Sequence, residues 1–346
     1  MRPILLLLVA LGVAHAQPLA QLDAEIRKGE TFKKISSVLV SRHGKLVYEG
    51  YFDGDANTLR DTRSATKTIT GALTGIAIRE RKLSGTDARI LSLLPERARR
   101  IQNPDPRKSK ITVEDLLTMS SPLECDDWSD SSRGNEERMY IIEDWAQFIL
   151  DLPIRGRMRV GETTEPPKYG RAFSYCTGGV FVMSEVLTAA TKMRTDRYAK
   201  EKLFSPLGIT QAEWVFSPLD VPQTGGGLRL TSRDLMKIAQ LYLNGGMWQG
   251  QRILDEAWVK ASTTPHARIE VETDYGYLWW LKSWKSGGKS YGSFYMSGNG
   301  GNKVVGIPAL DAVVVITSTN YNTRGMHEQT DRILTDHVLA LLATLE

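Results

Sequence analysis

Ser64-Ala65-Thr66-Lys67 places a hydroxyl and an amine three residues apart at the start of a run, 64–80, whose apolar residues recur at helical spacing. On a helix, positions i and i+3 share a face, so the two groups can meet within one turn. An amine held there can take the proton as the hydroxyl attacks a carbonyl carbon. Free lysine titrates near ~10.4, so such a base needs surroundings that favour its neutral form. Taken alone, Ser-x-x-Lys is a common exposed helix turn, and the sequence holds a competitor. Gly288-Lys289-Ser290-Tyr291-Gly292 fits a Gly-x-Ser-x-Gly nucleophile elbow. That elbow needs a strand before it and a helix after it, with an acid and a histidine downstream. His327 and His337 do follow, but Ser293-Phe294-Tyr295-Met296 reads as a strand, so a hairpin loop is expected there. The glycine runs at 225–227 and 245–246 precede no Lys-Ser/Thr pair and are read as loops rather than phosphate cradles.

The elements that must position these groups follow from local patterns. Ile69, Leu73 and Ile76 recur at i, i+4, i+7, and Leu235, Ile238 and Tyr242 at i, i+3, i+7, which predicts two helices. Thr112-Val113-Glu114-Asp115 and Thr231-Ser232-Arg233-Asp234 are helix starts of the capping-box type. A last helix is expected around Thr330 to Leu345, with Ile333, Val338, Leu341 and Leu342 on its apolar face. Ser36–Ser41 and Lys45–Tyr51 are β-rich runs separated by Arg42-His43-Gly44, a hairpin. Four later runs, Tyr275–Trp284, Ser293–Ser297, Lys303–Ile307 and Ala312–Ser318, suit an antiparallel meander. Trp279, Trp280 and Trp284 are read as core or sheet surface. Strands near both ends with helices between them imply one sheet assembled from residues 17–90 and 225–346. Residues 90–225 then form an inserted, mainly helical domain, and no internal repeat is visible.

Several further segments stand in a telling order. Ser64-Ala65-Thr66-Lys67 is followed by Ile111–Leu123, Phe173-Ser174-Tyr175-Cys176-Thr177, Gly226–Leu235, Asn244–Trp248 and Gly298-Asn299-Gly300-Gly301. Over about residues 35 to 345 the chain resembles the β-lactamase-related serine hydrolases. These include class C β-lactamases, D,D-peptidases, family VIII esterases and 6-aminohexanoate-dimer hydrolases, and the glycine-containing segments look most like the last. The resemblance implies an α/β (α+β) fold of the β-lactamase/transpeptidase type, an antiparallel sheet flanked by helices plus the helical insertion. It implies Ser64 as nucleophile, Lys67 as its base and Tyr175 as the proton carrier to the leaving group. The backbone N–H groups of Ser64 and Asn299 would form the oxyanion hole, with Thr177, Ser297 and Gly298 beside the substrate. No cofactor and no metal is implied. Two departures narrow the function. Thr177 stands where the family pattern has asparagine, and threonine offers one donor on a shorter arm. Met296-Ser297-Gly298 replaces the Lys/His-Ser/Thr-Gly box, removing the cation that would bind a β-lactam carboxylate; Lys303 and Arg229 are other cations that could supply charge there, though the sequence does not place them. Lys285-Ser286-Gly287 matches that box literally but sits in a glycine-rich turn. An esterase or amidase, acting on a small-molecule or peptide-like substrate, is therefore expected over a β-lactamase or D,D-peptidase. The alternative is a catalytically silent protein that binds cell-wall peptides or a partner.

Composition bounds the rest. The 346 residues are 41% hydrophobic and 24% charged, and 44 basic against 40 acidic residues leave a net charge of +4. Both signs are interspersed, which argues against a nucleic-acid binder with its basic stripe. Two cysteines and five histidines show no zinc-ligand spacing. Met1-Arg2-Pro3, the 11 apolar residues Ile4–Ala14 and the small-x-small triplet Ala14-His15-Ala16 read as a cleaved secretory leader, residues 1–16. A run that short does not span a ~30 Å hydrocarbon core. The mature chain is thus expected in the periplasm or secreted, without a membrane anchor. In such a compartment Cys125 and Cys176 either pair or remain separate buried thiols, as their Cα separation allows.

Overall fold

The computed structural model describes residues 19–156 and 167–344, and the expected leader at 1–16 lies outside them. β1 (Ile35–Arg42) and β2 (Lys45–Tyr51) form a hairpin whose turn residues His43 and Gly44 both have positive φ. Two minor ribbons follow, β3 (Arg60–Asp61) with β4 (Arg229–Leu230) and β5 (Met247–Trp248) with β6 (Gln251–Arg252). The remaining strands are β7 (Ala267–Glu270), β8 (Thr273–Tyr275), β9 (Trp280–Ser286), β10 (Lys289–Gly298), β11 (Asn302–Ile307) and β12 (Ala312–Ser318). The main sheet is antiparallel throughout, in the order β2-β1-β12-β11-β10-β9-β8-β7. Its first and last strands in sequence lie side by side, with Val38 opposite Ile316 and Val40 opposite Val314.

Both faces of the central strands are covered, which explains their nearly unbroken apolar sequence. Leu39, Val304, Val313 and Val315 face one core, shared with Ile69, Leu73 and Ile76 of the Thr66–Arg79 helix and Leu235 and Ile238 of the Ser232–Leu243 helix. Val38, Val40, Val314 and Ile316 face the other, against Leu22 and Ile26 of helical residues 19–28 and Ile333, Val338 and Leu342 near the C-terminus. Strand alternation at a period of two produces this division. Between β3 and β4 the described elements are helices. Thr112 and Thr231 each accept a hydrogen bond from the N–H three residues on, and at Thr112 the reciprocal Asp115 bond completes the capping box.

Three expected boundaries shift. The Tyr275–Trp284 run splits, because Leu278 docks on helices instead of continuing the ladder. Its N–H donates to Leu117 O at 2.9 Å and its carbonyl accepts from Thr68 Oγ1 at 2.7 Å. β10 begins at Lys289 rather than Ser293, since Gly287 and Gly288, with φ of 56° and 77°, make the turn from β9. Helix also begins at Met326, ahead of Thr330.

The Thr66–Arg79 helix runs through the interior, and its threonine hydroxyls are satisfied by carbonyls. Thr70 Oγ1 donates to Thr224 O at 2.8 Å and Thr74 Oγ1 to Thr70 O at 2.8 Å. On this helix a Cβ at Gly75 would lie 2.3 Å from the Trp258 indole nitrogen. Alanine raises helix propensity by ~1 kcal/mol over glycine, but overpacking a rigid ring costs ~1–3 kcal/mol. Overpacking decides the sign. Gly75→Ala is expected to lower the urea midpoint, whereas an unchanged or higher midpoint would show that the Trp258 contact yields freely.

Candidate active site

Ser64 lies in the 3₁₀ turn Arg63–Ala65 that leads into the Thr66–Arg79 helix. Arg63 has φ of 52°, a left-handed conformation that costs a non-glycine residue roughly 1–2 kcal/mol. Its N–H donates to Asp61 Oδ1 at 3.0 Å, and its guanidinium lies 4.3 Å from the Tyr321 ring centroid. The Tyr321 hydroxyl closes the set by donating to Asp61 O at 2.8 Å. Backbone strain next to a candidate nucleophile is thus held by identifiable contacts. One turn on, Lys67 is 2% exposed. Its Nζ donates to Ser64 Oγ at 2.8 Å and to Gly225 O at 2.6 Å, and lies 4.9 Å from the Tyr175 ring centroid. The glycine run at 225–227 therefore supplies a carbonyl that orients the amine, which its reading as a loop did not reveal.

Tyr175 sits on irregular backbone just before the Thr177–Thr191 helix. Trp128 stacks on its ring at 5.3 Å with a 7° interplanar angle. The hydrogen bonds of the Lys67 amine go to Ser64 and Gly225 rather than to Thr177. The Thr177 N–H donates to Asp127 Oδ2 at 2.6 Å. Cys125 and Cys176 are joined in a disulfide, with Cα atoms 5.3 Å apart. Asp127 also accepts from the Glu136 N–H at 2.9 Å. Burial and the neighbouring Glu136 charge push its pKa up to about 6, against the pull of Lys67 and the Thr177 N–H.

The opposite wall comes from the sheet. Ser64, Asp127, Trp128, Tyr175, Ser297, Gly298 and Asn299 line one cavity of about 500 Å³. β10 can pass against the nucleophile turn only because residue 298 is glycine, since a Cβ there would lie 1.8 Å from Thr62 O. The following turn is fixed by Asn302, whose Nδ2 donates to Asn299 O at 2.7 Å, and by Asn299 Oδ1 accepting from Asn322 N at 2.8 Å. Alternation along β9 sends Trp280, Lys282 and Trp284 into the cavity wall, so two tryptophans read as core or sheet surface also face the site. Trp279 is fully buried, against Tyr242.

Of the two other cations, Lys303 stands opposite Ser297 and also lines the cavity. It is ion-paired to Asp331 at 2.7 Å and donates to Thr330 Oγ1 at 2.7 Å. Burial, with Lys303 beside it, pushes His327 down to about 3, so this cavity-lining imidazole is neutral at physiological pH. Arg229 lies away from this cavity, 3.5 Å from Glu213. Ser290 is exposed within β10, and no helix follows it, so the elbow reading does not hold. His337 packs against Phe32 on the far core. Among the described residues no group of three His, Cys, Asp or Glu side chains converges as metal ligands, and no helix is long and apolar enough to cross a membrane.

Residues 36–339 match the family model described as beta-lactamase. The chain belongs to the beta-lactamase family. It is 25% identical over 359 residues to 6-aminohexanoate-dimer hydrolase of Paenarthrobacter ureafaciens, covering 94% of this chain and 85% of that protein. Its fold is similar to that of a candidate 6-aminohexanoate-dimer hydrolase from Bacillus anthracis, with a TM-score of 0.70, 20% identity, and 93% and 81% of the two chains covered. It is also similar to EstCE1, a hydrolase with promiscuous acyltransferase activity, with a TM-score of 0.68, 13% identity, and 92% and 98% covered. Family and fold are those that the ordered motifs implied.

Asp127 carries no motif signal, and its position yields a pH test. A carboxyl whose pKa is higher folded than unfolded contributes stability below the unfolded value, near ~3.9, and that contribution is lost as pH rises to about 6. The shift corresponds to on the order of 2–3 kcal/mol. Asp127→Asn is therefore expected to lessen the fall in stability between pH 4 and 7, read as the difference between wild-type and variant melting temperatures. Parallel wild-type and variant profiles would refute this.

Proposed function

We propose that this family member is a serine hydrolase acting on ester or amide bonds through an acyl-Ser64 intermediate. The observation that carries the proposal is the buried Lys67 amine, 2.8 Å from Ser64 Oγ and 2.6 Å from the Gly225 carbonyl. In the acylation step the neutral amine takes the Ser64 proton while Oγ bonds to the substrate carbonyl carbon. The resulting oxyanion is met by the N–H groups of Ser64 and Asn299, two residues that line the same cavity. One such donor is typically worth ~3 kcal/mol of transition-state stabilisation. Collapse breaks the bond to the leaving alcohol or amine, which receives the Tyr175 proton. Tyr175 then recovers a proton from Lys67. Water adds to the acyl-enzyme by the same groups in reverse roles, releasing the acid and restoring Ser64.

Substrate preference follows from the cavity wall. The cation opposite Ser297 is already neutralised by Asp331, which disfavours a β-lactam carboxylate there. Trp128, Trp280, Trp284 and Tyr295 give the cavity an aromatic side suited to a small-molecule or peptide-like substrate. We propose a periplasmic or secreted location. The leader pattern at 1–16 supports it, and so does the use of both cysteines in a bond that persists under oxidising conditions.

An activated fluorophosphonate should label the wild type on Ser64 and leave Ser64→Ala unlabelled. Turnover of p-nitrophenyl esters should fall about 10²-fold or more in Lys67→Ala and in Tyr175→Phe, with melting temperatures retained. Full turnover in Ser64→Ala would overturn the proposal.

A further inference from the structure

The hydrolytic cycle makes no use of cysteine, yet the Cys125–Cys176 bond joins the two segments that hold the tyrosine. It bridges 51 residues of sequence, and both cysteines are buried. Cys176 directly follows Tyr175, and its Sγ accepts the Gly179 N–H at 3.2 Å at the start of the Thr177–Thr191 helix. Cys125 begins the segment bearing Asp127 and Trp128. Around the bond, Ser174 Oγ donates to Cys125 O at 2.7 Å and the Asp127 N–H to Tyr175 O at 2.8 Å.

Lys67 is fixed by its place in a helix, whereas residues 171–176 have no regular secondary structure. A reacting side chain on irregular backbone keeps its geometry only through the contacts that surround it. Trp128, although 59% exposed, lies flat on the Tyr175 ring from the far side of the same cross-link. The bond therefore restrains both the tyrosine and the aromatic ring stacked on it.

We propose that the Cys125–Cys176 bond is a positioning element for Tyr175, so that turnover depends on its formation. The inference rests on the reading of Tyr175 as proton carrier. Closure joins two thiols in one S–S bond, and two electrons and two protons pass to a disulfide-class oxidant, which leaves as a dithiol. Dithiothreitol reverses the step and becomes a cyclic disulfide. A chain kept in a reducing compartment would accordingly turn over slowly until it met an oxidising one.

A double-mutant cycle tests this on the full chain. The bond is opened in two ways, by C125A/C176A and by dithiothreitol with thiol titration to verify reduction. Each opening is measured in the wild type and in Tyr175→Phe, with circular dichroism and melting to establish that the protein is folded. In the wild-type background opening should lower kcat by about 10- to 100-fold, and reoxidation of the reduced wild type should restore it. In the Tyr175→Phe background opening should change kcat by less than about twofold. Equal losses in both backgrounds would assign the bond to general stability and overturn the proposal, as would no loss in the wild type. If Tyr175→Phe alone leaves kcat intact, the reading of the tyrosine fails and this inference falls with it. If only the cycle fails, that reading stands.

Discussion

Taking a lysine side chain out of water is costly unless each polar atom finds a partner, and this molecule does so at Lys67. The amine has the Ser64 hydroxyl and the Gly225 carbonyl within hydrogen-bond reach, and the Tyr175 ring beside it. Each contact comes from a different stretch of chain, so the amine is held only when those stretches have come together. The helix that carries Lys67 is correspondingly enclosed, with the Thr68 and Thr70 hydroxyls turned to carbonyls of neighbouring segments. The sheet supplies the remaining wall, brought close by a glycine where any side chain would collide with Thr62.

The cavity around this amine is built from three kinds of support. Ser64 stands on a strained turn braced by Asp61 and Tyr321. The strand wall presents residues at a period of two, which delivers Trp280, Lys282 and Trp284 together. The third side is irregular backbone, held by a cross-link and by the Asp127 carboxylate bridging the Thr177 and Glu136 N–H groups. Helical elements thus carry Ser64 and Lys67, while Tyr175 depends on tertiary contacts.

This difference in support also governs what could be read from the sequence. Ser64 and Lys67 were legible because three residues on a helix is a local distance, and the caps at Thr112 and Thr231 were legible for the same reason. β1, β2, β11 and β12 follow, to within a residue at each end, from β-rich runs bounded by turn residues. Tyr175 emerged only through the order of several motifs, since nothing in Ser-Tyr-Cys itself distinguishes a proton carrier from a packed ring. Asp127 and Gly225 were not legible. One contributes a part-buried carboxylate and the other a backbone carbonyl, and neither leaves a pattern along the chain. For Trp280 and Trp284 the sequence implies only core or sheet surface, because a strand pattern marks two faces without saying which one a cavity uses. The split between β8 and β9 likewise depends on Leu278 meeting helices more than a hundred residues away.

The pairing of β1 with β12 has a consequence for how the molecule comes into being. Val40 meets Val314 across most of the chain's length, and contacts of such sequence separation form late and slowly because a very large loop must first close. A chain growing on the ribosome displays β1 with one of its ladder partners still unmade. The central seam of the sheet is absent until residue 318 has emerged. A prematurely terminated product would expose an unpaired strand edge of the kind that seeds aggregation.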